Sequence, residues 1–258
     1  MNIDLTGRTA VITGGSKGLG YAAAQRFTAS GANVAILARG QEALDAACAS
    51  IGTTGKGQVA GFTCDVARAD ALTDVFGQVV ARFGAVDIVL NNAGQGRANP
   101  FESVTDELWQ ADIDQKLFAA TRLARLSWPG MKERRWGRII NVLSIGAKAP
   151  RASSMPTSVT RAAGLAFTKA LAWDGAPHNI LVNALLIGKI VSDQIVRRHL
   201  DDPEGLEREK VALGATVPLG RMGEAAEFAN MACFLASDAA SYINGTAINV
   251  DGGLSPVP

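Results

Sequence analysis

The stretch Thr9-Ala10-Val11-Ile12-Thr13-Gly14-Gly15-Ser16-Lys17-Gly18-Leu19-Gly20 decides how this chain is read. A short apolar run centred on Val11 and Ile12 ends in a glycine-rich turn. Tyr21-Ala22-Ala23-Ala24-Gln25-Arg26-Phe27 then continues in a helical pattern. Strand, glycine turn and helix together cradle a pyrophosphate: unpaired N–H groups at the helix start face the anion, and glycine lets it approach the backbone. The glycines at 14, 18 and 20 are spaced G-x-x-x-G-x-G, not G-x-G-x-x-G, and no Gly-Lys-Ser/Thr follows, so this is not a P-loop. A tight turn before a packed helix would also explain the glycines, so the rest of the chain has to discriminate.

Downstream, short apolar runs alternate with longer helical patterns. Strands are expected at 33–38, 58–64, 86–90, 138–143, 180–186 and 247–250. Helices are expected at about 41–50, 69–83, 106–132, 156–173 and 224–235. This alternation predicts an α/β fold: one doubly wound (Rossmann) parallel sheet of about seven strands, with helices on both faces. No repeat or linker divides residues 1–258, so one domain is expected. The polar stretch at about 192–212 breaks the rhythm and reads as a lid over about 190–215.

The candidate functional residues share one location. The glycine turn follows the first strand, Arg39 the second, Asp65 and Val66 the third, and Asn91-Asn92-Ala93-Gly94 the fourth. Ser144 follows the fifth, and Gly188, Ile190 and Ser192 the sixth. All sit at the carboxyl ends of parallel strands, where open α/β sheets bind ligands. Gly14, Ser16, Lys17, Gly18, Leu19 and Gly20 would hold a dinucleotide with Arg39, Asp65, Val66, Asn92, Ala93, Gly94, Gly188, Ile190 and Ser192. Arg39 stands where a carboxylate would accept from the 2′-hydroxyl of NAD. A guanidinium there, with Lys17 nearby, suits a 2′-phosphate, so NADP(H) is preferred over NAD(H).

Composition narrows the partners. Of 258 residues, 48% are hydrophobic, ample for a single core. A net charge of +1 gives no footprint for nucleic acid or an anionic membrane, and no apolar run is long enough to span one. Cys48, Cys64 and Cys233 are odd in number and widely spaced, which fits reduced thiols in the cytoplasm and no disulfide frame or metal site. The N-terminal residues carry no basic segment followed by an apolar core, so no secretory leader is expected.

At these residues the chain resembles the short-chain dehydrogenase/reductase family, and among its members those like ketoacyl-carrier-protein reductase. The likeness rests on Thr13-Gly14-x-x-x-Gly18-x-Gly20, Cys64-Asp65-Val66, Asn91-Asn92-Ala93-Gly94 and Ala176 to Ala184. It continues through Gly220-Arg221-Met222-Gly223, Phe234 to Asp238, and Gly245 to Gly253. The resemblance implies a carbonyl/alcohol oxidoreductase with a small-molecule or acyl-type substrate. It also implies a homo-oligomer, tetramer or dimer, built on the two long helices.

The same resemblance exposes a departure. The family uses a serine, a tyrosine, a lysine and an asparagine. Ser144 matches the serine, but Thr157 stands at the tyrosine position, Arg161 at the lysine and Lys116 at the asparagine. A threonine hydroxyl is a far weaker acid than a phenol of pKa about 10, and a guanidinium does not relay protons. Thr157 and Arg161 are four apart on one helix and share a face. Arg161 could also grip ribose hydroxyls. Lys116, if it points at Arg161, would be pushed toward its neutral form and could handle the proton. It could instead turn to Asp112, Asp114 or solvent. The two tyrosines, Tyr21 and Tyr242, read as packing residues. His199 lies in the lid segment, and His178 serves the turn before the sixth strand. Lys148, Arg151, Ser153 and Ser154 are candidate pocket residues, and with Lys116 and Arg161 they would favour an anionic substrate. Two other functions compete with redox turnover: a nucleotide-binding sensor or partner subunit, and enolate chemistry on the same scaffold.

Overall fold

The computed structural model describes residues 3–53 and 55–258. Met1, Asn2 and Thr54 lie outside them, and with the first two the start of the N-terminal reading. Strands β1 (Thr9–Thr13), β2 (Asn33–Ala38), β3 (Val59–Thr63) and β4 (Ile88–Asn91) alternate with helices α1 (Gly18–Ala29), α2 (Gln41–Gly52) and α3 (Ala69–Phe83). The main sheet is completed by Gly137–Ser144, Ile180–Ile187 and Ala247–Val250, in the spatial order third, second, first, fourth, then these three. All its pairings are parallel.

The burial pattern explains why these runs are strands. In β1 all five residues are buried, because helices cover both sheet faces. Side chains alternate between the two layers: Ala10 and Ile12 join one core with Ile88 and Leu90, while Val11 joins the other with Val89. The first core receives Phe27 of α1 and Phe228 of Ala225–Ala236. The second receives Leu72, Val75 and Val79 of α3. The chain runs outward through β2 and β3, then returns to place β4 beside β1. The crevice at this reversal is where such sheets take their ligands.

Two features depart from expectation. A small antiparallel pair, β5 (Ala98–Asn99) with β7 (Met155–Pro156), links the loop after β4 to the residue preceding Thr157. The helix expected at 106–132 is not regular. It consists of α4 (Asp106–Ile113), a π-helical turn over Asp114–Phe118, and α5 (Ala119–Arg134). A π turn inserts a residue and rotates the remainder of the helix about its axis, and such turns concentrate at functional sites. Here it contains Lys116. With β6 (Gly137–Ser144), helix α6 (Thr157–Gly175) and β8 (Ile180–Ile187) named, a buried polar chain becomes visible: Asn91 Nδ2 donates to Asn141 Oδ1 at 2.8 Å, and Asn141 Nδ2 donates to Thr168 Oγ1 at 2.9 Å. It ties β4 to β6 and to α6, the helix that carries Thr157 and Arg161.

The segment read from the sequence as a lid folds as α7 (Asp193–Val196), a short 3₁₀ turn, and α8 (Pro203–Gly214), and α9 (Ala225–Ala236) returns the chain to the last strand, β9 (Ala247–Val250). Glu224 and Glu227 form a capping box at the start of α9. Phe228 is fully buried between α9 and the sheet. Phe228→Ala is expected to cost about 3–5 kcal/mol, read as a lower urea midpoint with an unchanged m-value.

Candidate functional site

The glycine turn is held open by contacts that a side chain would destroy. A Cβ on Gly20 would lie 2.2 Å from the Gly14 carbonyl oxygen and 2.6 Å from Asn92 Nδ2. Gly18 has a φ of +55, in the left-handed region. Helix α1 begins with no side-chain cap at Lys17, so the N–H groups of its first turn are left for an anion. The neighbouring strand tip is fixed by Thr13, whose Oγ1 accepts from the backbone N–H of Asn92 (3.0 Å) and of Ala93 (2.9 Å). Asn92 Nδ2 answers by donating to the Thr13 and Gly14 carbonyls at 3.0 and 3.2 Å.

These elements wall a cavity of about 680 Å³ along the carboxyl ends of the strands. Gly14, Ser16, Lys17, Gly18, Leu19, Arg39, Asp65, Val66, Asn92, Ala93 and Gly94 line it, as do Ser144, Thr157, Arg161, Gly188, Ile190 and Ser192. Two of the predicted residues do not. Gly20 faces the turn itself, where its missing side chain permits the close approach. Lys116 lies behind the wall, its side chain 1% exposed. Lys17 and Arg39 are exposed at one end of the cavity and have no ion-pair partner among the described residues. Uncapped helix N–H groups and two uncommitted cations in one trough fit a phosphorylated dinucleotide.

At the other end stand Ser144, Thr157 and Arg161. Ser144 Oγ has no hydrogen-bond partner among the described residues. Arg161 donates to the Val142 carbonyl through Nη1 at 2.7 Å, and burial pulls its pKa down to about 10 against the attraction of Asp112. Lys116 pairs with the fully buried Asp112, one helical turn earlier, and donates to Thr157 Oγ1 at 2.8 Å. Both alternatives for Lys116 are thus partly realised, since it turns to Asp112 and also sits beside Arg161. Burial first, then the Arg161 charge, lower its pKa to about 8; Asp112 opposes the shift and Arg97 adds to it. Gly94 makes this crowding possible: a Cβ there would lie 2.8 Å from Arg161 Nη2 and 3.3 Å from Lys116 Cγ.

Several expectations need correction. Lys148, Arg151, Ser153 and Ser154 do not line the cavity. Lys148 Nζ is spent on the carbonyls of Ala247 and Pro258 and on Asn249 Oδ1. The case for an anionic substrate loses these residues. His199 is not at the mouth either: its Nε2 meets Glu209 Oε2 at 2.6 Å, while its neighbours Arg197 and Arg198 reach the cavity wall. Tyr21 bonds Ser50 Oγ at 2.7 Å as a packing residue, whereas Tyr242 is fully exposed and is not the packing residue expected. Sequence reasoning missed the doubly accepting Thr13, the wall residues Gln115 and Lys189, and the role of the 98–99 strand in bringing Arg97 against Thr157. Only the Asp112/Lys116 spacing carried a signal, as an i,i+4 pair.

The comparisons with known proteins bear on family and fold. A family model described as enoyl-(acyl carrier protein) reductase matches residues 14–255. An acetoacetyl-CoA reductase of Shinella zoogloeoides is 35% identical over 95% of this chain and 98% of its own length. A 3-oxoacyl-(acyl-carrier-protein) reductase of Escherichia coli is 34% identical over 98% of this chain and 99% of its own. The L-sorbose reductase of Gluconobacter frateurii, solved with NADPH and L-sorbose, matches with a TM-score of 0.94 at 33% identity over 100% of both chains.

Thr13→Val would strand two backbone N–H groups at the cavity edge. A loss of about 1–3 kcal/mol is expected, read by thermal denaturation together with weaker dinucleotide binding. Thr13→Ser keeps the acceptor and should stay near the parent protein in both.

Proposed function

The chain belongs to the short-chain dehydrogenase/reductase family and is an NAD(P)-dependent oxidoreductase, and from that premise we propose that it uses NADP(H) to interconvert a carbonyl and an alcohol on a small or acyl-type substrate. One observation carries the coenzyme choice. The cavity end next to β2 holds Arg39 and Lys17, both without ion-pair partners among the described residues, and no carboxylate at position 39. A 2′-phosphate would take these cations, while a bare ribose would leave them unmatched. The N–H groups at the start of α1 would hold the pyrophosphate, Asp65 and Val66 would flank the adenine, and Asn92 to Gly94 would border the nicotinamide half. Arg161, which lines the cavity, would grip the adjoining ribose.

When bound, the coenzyme supplies the hydride chemistry. The chain's own part is to orient the carbonyl and to stabilise negative charge developing on its oxygen. Ser144, whose hydroxyl is uncommitted, and Thr157 both line the reacting end and would donate to that oxygen. Reduction of a 3-oxoacyl or small keto substrate is supported by the activities for which the relatives are named and by the open trough.

We assign the protein to the cytoplasm on its three free thiols. We assign it to a homo-oligomer on the exposed apolar side chains of the two long helical regions, Leu108, Phe118, Val159 and Trp173.

Calorimetry with NADPH and NADH tests the coenzyme assignment, and oxidation of NADPH against a panel of ketones and 3-oxoacyl thioesters tests the reaction. NADPH is expected to bind more tightly. Arg39→Asp should weaken NADPH by about 10–100-fold, the worth of a charge-assisted pair, and spare NADH. Equal affinity for the two coenzymes would reject the NADP(H) assignment. NADPH binding without oxidation by any panel member would favour a sensor or partner role.

A further inference from the structure

The reacting corner contains an unusual hydroxyl. A threonine Oγ has one proton to give and two lone pairs to receive with. In Thr157 both acceptor directions are filled: the backbone N–H of Arg97 donates at 3.0 Å and Lys116 Nζ at 2.8 Å. The proton of Thr157 therefore has to point elsewhere. No acceptor for it exists among the described residues, and Thr157 lines the cavity while Lys116 does not. The Lys116 ammonium is sealed behind it, held by Asp112, whose side chain is fully buried. A substrate in the trough can meet the threonine hydroxyl but not the amine.

We propose that Thr157 and Lys116 form a two-step proton relay, with Thr157 as the residue that touches the substrate oxygen, Lys116 as its proton reservoir and Asp112 as the positioning residue. The inference rests on the carbonyl/alcohol reading above and specifies how that site handles its proton. In the reducing direction the carbonyl carbon would gain a hydride supplied by the reduced nicotinamide coenzyme, which is oxidised in turn, and the C=O π pair moves onto oxygen. That oxygen takes the Thr157 hydroxyl proton, forming the alcohol O–H. Thr157 Oγ takes a proton from Lys116 Nζ as its own leaves, so no free threonine alkoxide accumulates. Lys116 is left as a neutral amine donating to Asp112 Oδ1; after the alcohol leaves, the Thr157 hydroxyl returns its proton to Lys116 Nζ and Thr157 Oγ takes a replacement from solvent entering the emptied cavity. Alcohol oxidation runs the same transfers backwards.

The relay answers the objection that threonine is a hopeless acid. An isolated threonine would have to part with its proton at a pKa far above neutrality. Here the proton is replaced by a neighbouring ammonium, and the effective acid is the lysine. Three charged groups face that ammonium: Asp112 from its own helix, Arg161 from α6, and Arg97 from the loop after β4. The two guanidiniums favour release of its proton, and the carboxylate keeps the amine in place. The Arg97 amide, brought there by the β5/β7 pair, fixes the hydroxyl in the direction that leaves its proton for the cavity.

The test uses Thr157→Val, Thr157→Ser and Lys116→Met in the full chain. Thr157→Val is isosteric and should lower kcat for NADPH-dependent carbonyl reduction about 10²–10⁴-fold, the usual worth of a general acid, with NADPH affinity unchanged. Thr157→Ser should restore most of the rate. In the parent protein kcat for reduction should fall as pH rises through about 8, where Lys116 loses its proton. Lys116→Met should lose both the rate and that limb. A second readout needs neither coenzyme nor substrate. Lysine-selective NMR should show one amine titrating near pH 8, absent in Lys116→Met, and moved to lower pH in Thr157→Val, because the ammonium loses an acceptor. Asp112→Asn should move it lower still and shift the pH limb of reduction with it. Turnover surviving Thr157→Val, a pH limb persisting in Lys116→Met, or a lysine titration indifferent to Thr157→Val would each overturn the relay. Loss of NADPH binding or of all carbonyl reduction in the parent protein would instead reject the underlying reading, and the NMR result would still decide whether the lysine and threonine are coupled.

Discussion

A lysine ammonium withdrawn from water costs several kcal/mol unless a counter-charge and hydrogen bonds replace its hydration, and the arrangement of the reacting corner stems from that cost at Lys116. Asp112 meets it as a buried partner one helical turn away, and Thr157 supplies a second acceptor. The π turn over Asp114–Phe118 contains Lys116 and carries the chain from α4 into α5. The missing side chain of Gly94 leaves room for the lysine stem and for Arg161 beside it. Remove any of these and the amine would either be stranded or turn to solvent.

The two ends of the trough obey different electrostatic rules. At the β2 end the cations are exposed and uncommitted, so they can trade water for phosphate with little desolvation cost. Their attraction for a dianionic phosphate is also screened by salt. At the reacting end the cations are buried and already hydrogen-bonded: Arg161 to the Val142 carbonyl, Lys116 to Asp112 and Thr157. Burial there has a further effect. It weakens the hold on a proton, which is why the Lys116 pKa moves to about 8 while a solvated lysine keeps the ordinary value. In the proposed scheme, coenzyme affinity and proton chemistry are thus assigned to groups that differ in exposure.

Much of this was legible in the sequence. Largely apolar runs such as Ile180–Ile187, broken only by Asn183 and buried over nearly their whole length, announce strands covered on both faces. The coincidence of candidate residues at strand tips located the cavity, because a parallel sheet puts every strand's end on the same side. The failures have a physical reason as well. Lys148, Arg151, Ser153 and Ser154 come soon after Ser144, but proximity in sequence does not fix direction in a loop, and Lys148 found acceptors on β9 instead. The regular helix expected at 106–132 failed because a π turn leaves no mark in apolar periodicity. Thr13 reads in the sequence only as a flank of the glycine turn, since the two backbone N–H groups it satisfies belong to residues nearly eighty positions away.

The substitutions at this corner make more sense together than singly. Replacing a phenol by a threonine shortens the donor by a ring, so a cation one turn along α6 is no longer the group best placed to supply its proton. Arg161 occupies that place, and a guanidinium that holds its proton serves there as a fixed charge. In the proposed relay the proton source lies on another helix. Lys116 approaches Thr157 from the α4/α5 side, where a carboxylate one turn before it can anchor an amine. A threonine without the lysine would lack an acid, and a lysine without Asp112 would lack a reason to stay buried. With an arginine in place of that lysine, the corner would hold a charge that does not yield its proton. In the proposed relay the residues form a set, each doing its part only in the presence of the others.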